Sequence, residues 1–320
     1  MDVSSYTAAS TLPKKLLIDK NICESIKNHN IKPIHIQLNP TNKCPLTCSF
    51  CSCKNRDKKA VMSIEDARNL IDDYHILGTK AVTITGGGDP LAYPHLKELL
   101  EHIKSKNMVI GLVTNGILFN KIDLNILKNL TWCRISVSDE QILPKEVLDR
   151  VIQQPVEWAF SYVLSNPEDI TNLLNCIQYA NDNNFTHVRL VDNILTEESN
   201  NMDKVKKAIR DKGIDDKLVI YQGRKKYSHG HKRCFISLLK PNIDPEGNML
   251  PCCGIQYAFD NPAYNFEKEA IMNKGLTTLE IYEKQLYFDG SKCVKCYYSD
   301  YNELMNMLWD ADKVCHKEFV

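Results

Sequence analysis

Thirteen cysteines are the residues of this 320-residue chain that are best able to do chemistry. Most of them cluster, as Cys44, Cys48, Cys51 and Cys53, then Cys234, Cys252 and Cys253, then Cys293 and Cys296. Disulfide frameworks are typical of short secreted chains, whereas this chain is long, has an odd cysteine count and starts without a signal pattern. Clustered thiols in a reducing compartment instead indicate metal ligation, because thiolates bind soft metals without an oxidant. The scattered cysteines are interpreted as small buried hydrophobes, namely Cys23, Cys133, Cys176 and Cys315.

The first cysteine cluster has the spacing of an iron–sulfur site with one open iron. Cys44, Cys48 and Cys51 follow the pattern C-x3-C-x2-C, and Phe50 precedes the last cysteine. Three thiolates in one loop hold three irons of a cubane and leave the fourth iron to a small molecule, whereas a ferredoxin segment supplies a fourth cysteine. The alternative is zinc, although structural zinc sites favour paired C-x2-C units in sets of four.

The composition is that of a globular protein rather than a disordered or fibrous one. Hydrophobic residues make up 43% of the chain and charged residues 25%, close to the usual averages. Forty basic and forty acidic residues balance, so net charge gives no argument for nucleic acid or membrane binding. No apolar run approaches the roughly 20 residues of a membrane helix. We therefore expect a soluble, cytoplasmic protein.

Strands and helices alternate through most of the chain. Period-two patterns predict strands at 34–38, 81–85, 109–113, 134–137, 159–164 and 187–191. Helical spacing predicts helices at 64–77, 94–106, 145–152 and 169–183, with a further helical stretch through Leu127. This order implies parallel strands joined by right-handed crossovers, and six units are too few for a complete eightfold barrel. We predict an α/β fold, a partial (β/α)6 TIM-like barrel whose working loops follow the carboxyl ends of its strands.

Three further segments follow successive predicted strands. They are Gly86-Gly87-Gly88-Asp89-Pro90, Thr114-Asn115-Gly116 and Arg134–Ser138. Together with the cysteine motif they resemble the radical S-adenosylmethionine (SAM) enzymes, whose signatures are C-x3-C-x-aromatic-C, GGEP and TNG. The resemblance implies that the first three cysteines hold a [4Fe-4S] cluster, whose free iron chelates SAM. It also implies reductive cleavage of SAM to a 5′-deoxyadenosyl radical.

The same resemblance implies which residues contact SAM. They are Phe50, Gly86, Gly87, Gly88, Asp89, Thr114, Asn115, Ser136, Ser138 and Arg189. Asp89 replaces the glutamate of the family motif, a mild departure because backbone atoms carry much of that contact. Arg189 either faces the barrel interior, where it binds a substrate anion or the SAM carboxylate, or packs its stem along the wall. Cys53 has no place in the motif.

The C-terminal cysteines have the spacing of a second metal site. Twelve residues separate Cys234 from Gly247, four more lead to Cys252, and Cys293-Val-Lys-Cys296 follows later. By spacing alone, zinc and an iron–sulfur cluster are equal alternatives. Behind a radical SAM core, the pattern resembles the SPASM and twitch domains, which implies an auxiliary [4Fe-4S] cluster on these four cysteines in the shorter twitch form. Cys253 and Cys315 are interpreted as non-ligating.

The predicted organisation is an N-terminal extension (1–33), a radical SAM partial barrel (34–221) and a cysteine-rich twitch/SPASM-like domain (222–320). The predicted function is hydrogen abstraction from an unactivated C–H bond of a small polar or nucleotide-like substrate, with a reductant such as flavodoxin or ferredoxin. The auxiliary cluster then acts as an electron conduit. Peptide maturation is the alternative, ranked second because the N-terminal extension is short for a precursor-recognition domain. A non-enzymatic iron–sulfur or zinc scaffold is the third interpretation.

One basic segment bears on the substrate. Residues 224–233 combine lysines, arginines and histidines directly before Cys234. The segment is either a solvated loop or an anchor for an anionic substrate, such as a nucleotide, a nucleic acid, a phosphorylated small molecule or an acidic peptide. The aromatic run Tyr297, Tyr298 and Tyr301 is interpreted as packing over the auxiliary cluster.

Overall fold

A single nine-stranded sheet organises the molecule, which a computed structural model describes for residues 3–6, 14–15, 18–193, 195, 202–222, 229–255, 270–293 and 296–313. Its strands are β1 His35–Leu38, β2 Ala81–Ile84, β3 Val109–Thr114, β4 Trp132–Ser138, β5 Glu157–Leu164, β6 His187–Asp192, β7 Val219–Gln222, β8 Asn242–Ile243 and β9 Met249–Leu250. Their order across the sheet is β7-β6-β5-β4-β3-β2-β1-β8-β9. Every neighbouring pair is parallel except β8 and β9.

All six predicted strands are present, so the sequence-based prediction of a partial parallel α/β barrel is confirmed. A seventh parallel strand, β7, extends the sheet beyond β6 and was missed, because four residues are too few to show a clear period. β8 and β9 form a short antiparallel hairpin. Asp244 and Gly247 make its turn, with Gly247 at φ +80°.

Helices connect the strands in the expected alternation. The α-helices are Lys20–Lys27, Ile64–Ile76, Leu96–Ser105, Lys145–Val151, Thr171–Asp182, Met202–Asp211, Ile236–Leu239, Thr278–Glu283 and Ser299–Trp309. The 3-10 helices are Val3–Tyr6, Pro90–Ala92, Ile117–Lys121, Leu124–Asn129, Gly290–Lys292 and Ala311–Lys313. The helical stretch predicted through Leu127 is therefore two 3-10 segments. Asp123 interrupts it, because its side chain accepts from the Asn125 backbone N–H at 3.0 Å and starts a new turn.

Alternation within the strands separates an apolar face from a polar one. Along β4, Cys133, Ile135 and Val137 are buried in the hydrophobic core shared with the surrounding helices. Arg134 and Ser136 lie on the opposite face and are only half-buried. In barrels of this class the helices cover the outside of the sheet. The polar face of β4 therefore lines the barrel interior.

The C-terminal segment is joined to the barrel rather than appended to it. β8 pairs in parallel with β1. A residue after the helix Lys20–Lys27 also contacts the last residue of the helix Ser299–Trp309. His29 stacks on Trp309 with ring centroids 3.8 Å apart. The domain boundaries at 33/34 and 221/222 stay predictions, and one hydrophobic core runs through all three predicted regions. Among the described residues, no helix is long and apolar enough to cross a membrane.

Gly111 leaves room for the Trp132 ring, and this close approach can be tested. A Cβ atom at Gly111 would lie 2.1 Å from Cζ2 of Trp132. We expect Gly111→Ala to lower the free energy of unfolding by about 1–3 kcal/mol, the usual cost of overpacking, as measured by urea denaturation. Adding Trp132→Leu should restore part of the loss. A Gly111→Ala protein as stable as the wild type would contradict the packing described.

Candidate functional site

The first cysteine motif lies in the loop that follows β1. Backbone hydrogen bonds close the base of this loop, from Asn42 to Ala60 and from Met62 to Pro40, both at 2.9 Å. The thiols of Cys44, Cys48 and Cys51 are all half-buried. Burial raises the pKa of Cys48, and the negative charges of Cys51 and Cys44 raise it further. The loop thus brings three thiols close enough to interact at the carboxyl end of β1.

Arg56 stabilises this loop from inside, a role that sequence reasoning missed. Its side chain is buried, and its Nε donates to the Asn42 carbonyl at 2.9 Å. Its Nη1 donates to the Cys53 carbonyl at 2.7 Å and reaches Cys51 Sγ at 3.5 Å. A buried arginine that donates to two loop carbonyls and to a sulfur fixes the conformation of the loop. The only sequence signal was a basic residue close to the cysteines.

The glycine loop after β2 packs directly on the cysteine loop. Gly88 donates its N–H to the Thr41 carbonyl at 3.2 Å, and Asp89 donates to the Lys43 carbonyl at 2.8 Å. A Cβ at Gly88 would lie 2.2 Å from the Lys43 carbonyl oxygen, and one at Gly86 would lie 2.5 Å from the Gly88 oxygen. Glycine is therefore required at both positions by the close approach of backbone to backbone.

The Asp89 carboxylate joins the glycine loop to the turn after β3. It accepts from the Thr114 hydroxyl at 2.9 and 2.8 Å, from the Asn115 N–H at 2.7 Å and from the Leu91 N–H at 2.9 Å. Asp89 is 2% exposed, and burial raises its pKa while these donors oppose the rise. Protein donors already occupy the Asp89 carboxylate. The backbone of the glycine loop is therefore the part that remains available to contact a ligand.

The turn after β3 reaches the cysteine loop as well. Asn115 Nδ2 lies 3.5 Å from Cys44 Sγ, and the Asn115 carbonyl accepts from Gln141 Nε2 at 3.2 Å. Phe50 is half-buried in the cysteine loop. The cysteine loop, the glycine loop and the Thr114-Asn115-Gly116 turn therefore meet at one edge of the sheet, as the order of motifs predicted.

The remaining predicted SAM residues lie on β4 and β6. Ser138 is buried, and its hydroxyl accepts from the N–H groups of Glu140 and Gln141 at 3.2 Å each. Ser136 is half-buried, and register places it next to Ser161 of β5, which in turn lies next to Arg189. The Ser138 hydroxyl therefore stabilises the turn that follows its strand, whereas Ser136 and Arg189 lie deeper in the barrel.

The four C-terminal cysteines also come together. Burial raises the pKa of Cys252 well above its usual value, and the charges of Cys253, Cys234 and Cys293 raise it further. Burial likewise raises the pKa of Cys234 to about 12, with a contribution from Cys296. Cys234 is held between Phe288, to which its backbone pairs, and Asn302, whose Nδ2 lies 3.8 Å from its sulfur.

No three His, Cys, Asp or Glu side chains in the described part of the chain are arranged to hold a single metal ion. A structural zinc ion needs such convergence, since its ligands surround one centre at about 2.0–2.3 Å. A [4Fe-4S] cluster does not, since each cysteine binds a different iron.

Two other predicted features, the basic segment and the aromatic run, lie away from the first cysteine loop. Residues 224–228 of the basic segment and Cys315 lie outside the described residues. Arg233 contributes to packing, because its guanidinium group stacks on Trp309 at 5.4 Å and pairs with Asp310 at 3.3 Å. Tyr298 and Tyr301 are buried, in line with the packing role predicted for the aromatic run.

A partial parallel barrel with a three-cysteine loop after its first strand and a glycine loop after its second defines the radical SAM class of proteins. Residues 38–211 match the family model of the radical SAM superfamily, which is more than half of the chain. The chain belongs to this superfamily, whose members bind SAM and a [4Fe-4S] cluster.

Curated relatives match part of the chain. A GTP 3′,8-cyclase of Desulforamulus reducens is 27% identical over 130 residues, which cover 39% of this chain and 39% of the cyclase. The subtilosin biosynthesis protein AlbA of Bacillus subtilis is 29% identical over 108 residues, covering 33% of this chain and 24% of AlbA. The matches thus span less than half the length of these relatives.

A similar fold is present in a solved enzyme structure. Streptococcus suis SuiB bound to its precursor peptide SuiA superposes with a TM-score of 0.61 at 16% identity. The superposition covers 84% of this chain and 69% of SuiB. At this identity the likeness concerns the fold alone.

Gly88 provides a test of how the glycine loop supports the cysteine loop. We expect Gly88→Ala to displace backbone atoms of Asn42 and Lys43 and to reduce the iron retained after anaerobic reconstitution by about half, since one of two cubanes would be affected. Iron and sulfide assays measure this. Gly213→Ala is the control, because nothing lies within 4 Å of its Cβ, and its left-handed φ makes it destabilising without touching the site. Equal iron content in both variants would contradict the prediction.

Proposed function

We propose that this protein is a radical SAM enzyme whose first cluster is held by Cys44, Cys48 and Cys51. The observation that carries the proposal is the convergence of three loops on these thiols: Gly88 and Asp89 bind the cysteine loop, and Asn115 reaches Cys44 Sγ. Three thiols leave one iron of a cubane for SAM. When bound there and reduced, the cluster would supply the electron for the cleavage of SAM, the source of the radical chemistry on the substrate.

The chain's own residues would hydrogen-bond to the cluster sulfurs, bind SAM and shield the radical. Arg56 and Asn115 place N–H groups near the sulfurs of Cys51 and Cys44, and hydrogen bonds to cluster sulfurs tune the reduction potential. The backbone of Gly86–Gly88 is proposed to receive the amino group of SAM. A primary carbon radical attacks whatever C–H bond is nearest, so the barrel is proposed to hold the substrate close to it and to keep other molecules away.

We further propose that Cys234, Cys252, Cys293 and Cys296 hold an auxiliary [4Fe-4S] cluster of the twitch type. Four cysteine ligands leave no iron open, so the site is suited to electron transfer rather than to substrate binding. The spacing of these four cysteines behind a radical SAM barrel supports an iron–sulfur cluster over zinc at this site. The auxiliary site would accept the electron that a substrate radical loses on oxidation.

The proposed substrate is a small polar or nucleotide-like molecule, oxidised or rearranged after hydrogen abstraction. The match to a GTP 3′,8-cyclase supports this class, since that relative acts on a nucleotide. Peptide maturation is the second candidate, supported by the match to a bacteriocin biosynthesis protein. A flavodoxin or ferredoxin is the proposed reductant.

Removing the three cysteine ligands of the first cluster distinguishes its iron content from that of the auxiliary cluster. We expect a Cys44/Cys48/Cys51→Ala variant to keep about four of about eight irons after reconstitution, because one cubane would remain. The variant should form no 5′-deoxyadenosine from SAM under strong reductant. Cys176→Ala, a buried cysteine outside both sites, should keep the full iron content. Loss of all iron, with zinc at the C-terminal cysteines, would overturn the auxiliary cluster.

Removing two of the C-terminal cysteine ligands tests the electron-transfer role proposed for the auxiliary cluster. We expect Cys293→Ala with Cys296→Ala to lose about four irons, as one cubane requires, while SAM cleavage to 5′-deoxyadenosine continues with dithionite. Liquid chromatography of the nucleoside measures this. An unchanged iron content would contradict the assignment of these ligands, and complete loss of SAM cleavage in a folded protein would contradict a separate electron-transfer role.

A further inference from the structure

The β4 turn, which we define as residues 138–141, contacts the cysteine loop through one carboxylate. Glu140 Oε2 accepts from the Ser49 N–H at 3.1 Å, and Glu140 Oε1 accepts from the Ser49 hydroxyl. Ser49 lies between Cys48, the second cysteine of the motif, and Phe50. Both oxygens of the Glu140 carboxylate therefore bind one residue of the cysteine loop, directly beside a cysteine that is proposed to hold iron.

Other contacts fix the β4 turn, so that it presents Glu140 in a set position. Within the turn, Ser138 Oγ accepts from the Glu140 N–H at 3.2 Å. Asp139 Oδ2 accepts from two backbone N–H groups of the loop after β5, at 2.8 Å each. Gln141 Nε2 donates to the Asn115 carbonyl in the turn after β3, at 3.2 Å. The β4 turn is therefore held by the segments after β3 and β5 while its carboxylate binds the cysteine loop after β1.

The Glu140 carboxylate brings a negative charge next to the cysteine motif. Its Oε2 lies 3.1 Å from the nitrogen of the peptide bond that joins Cys48 to Ser49. Among the described residues, no lysine, arginine or histidine forms an ion pair with Glu140. The side chain is exposed, so water and salt screen its charge in part, whereas its hydrogen bond to the Ser49 N–H is a direct contact.

Two features of this contact act on the reduction potential of a cluster in the same direction. Hydrogen bonds to the sulfurs and the charge around a cluster both set its potential. Reduction adds one electron, so an N–H that donates to a sulfur stabilises the reduced state, whereas a nearby negative charge destabilises it. Glu140 occupies the Ser49 N–H and adds a negative charge. Both effects lower the potential, and a low potential favours transfer of the electron to SAM.

We propose that Glu140 is a positioning residue that keeps the Ser49 N–H from donating to a cluster sulfur and thereby keeps the reduction potential of the first cluster low. The proposal rests on the function proposed above, in which a flavodoxin or ferredoxin donates the electron. Arg56 and Asn115 act in the opposite sense, because their N–H groups lie 3.5 Å from two sulfurs of the motif. Contacts on different sides of the cysteine loop thus make opposing contributions to the potential.

The test is a redox titration of the reconstituted holoenzyme with dithionite, followed by electron paramagnetic resonance. The first cluster is recognised as the one whose signal changes when SAM is added. We expect Glu140→Ala to raise its potential, with an equilibrium constant for reduction roughly threefold to tenfold larger, which is about 30–60 mV for one electron. Glu140→Gln keeps an acceptor oxygen and loses the charge, so its potential should lie between those of Glu140→Ala and the wild type. Glu146→Ala, at another exposed glutamate, should have the wild-type potential.

A second measurement separates the effect of the N–H group from that of the charge. In Glu140→Ala the Ser49 N–H is free to donate to a sulfur. Pulsed electron paramagnetic resonance in D2O should therefore show one more exchangeable deuteron coupled to the reduced first cluster than in the wild type. Glu140→Gln should show the wild-type number. All variants should retain as much iron as the wild type, whereas a merely structural role of Glu140 would lower the iron content.

Three results would overturn the proposal. One is a Glu140→Ala potential that equals the wild-type potential or is more negative. Another is a raised potential without an additional deuteron, since the loss of charge alone would then account for the shift. The third is loss of iron from Glu140→Ala, which would make the role of Glu140 structural.

The outcome is separable from that of the proposed function. SAM cleavage to 5′-deoxyadenosine by the wild type tests the radical SAM activity itself. If the wild type cleaves SAM and Glu140→Ala keeps the wild-type potential, the positioning role is wrong and the proposed function stands. If the potentials shift as expected and the wild type does not cleave SAM, the positioning role stands and the proposed function is wrong.

Discussion

The buried carboxylate of Asp89 is the interaction on which the arrangement of the site depends. It accepts four hydrogen bonds, which connect the loop after β2 to the turn after β3, while its own N–H binds the cysteine loop through Lys43. Loops from three strands are thereby fixed against one another. A buried carboxylate is stable only when its oxygens are satisfied in this way, so the three loops hold one another in a single geometry.

This constraint explains why glycines follow β2. Gly88 passes so close to Asn42 and Lys43 that any side chain would push the cysteine loop away. Arg56 holds the same loop from its other side through two backbone carbonyls. The cysteine motif therefore gains its geometry from contacts on both sides.

The C-terminal segment shapes the deeper part of the barrel. β8 extends the sheet past β1, while Tyr297 reaches Arg189 through Gln222. The segment that carries the second cysteine set thus also contributes a side chain to the polar face of the sheet.

The sequence by itself determined the local features: six strands, the helix Ile64–Ile76 and the spacing of both cysteine sets, because each depends on residues that are close in the chain. It missed β7, whose four residues show no clear period, and the 3-10 turns after β3. Tertiary structure alone decided that Arg189, Gln222 and Tyr297 form one chain of hydrogen bonds. Their sequence separations carry no periodic signal, and only the pairing of β6 with β7 and the return of the C-terminal segment bring these side chains together.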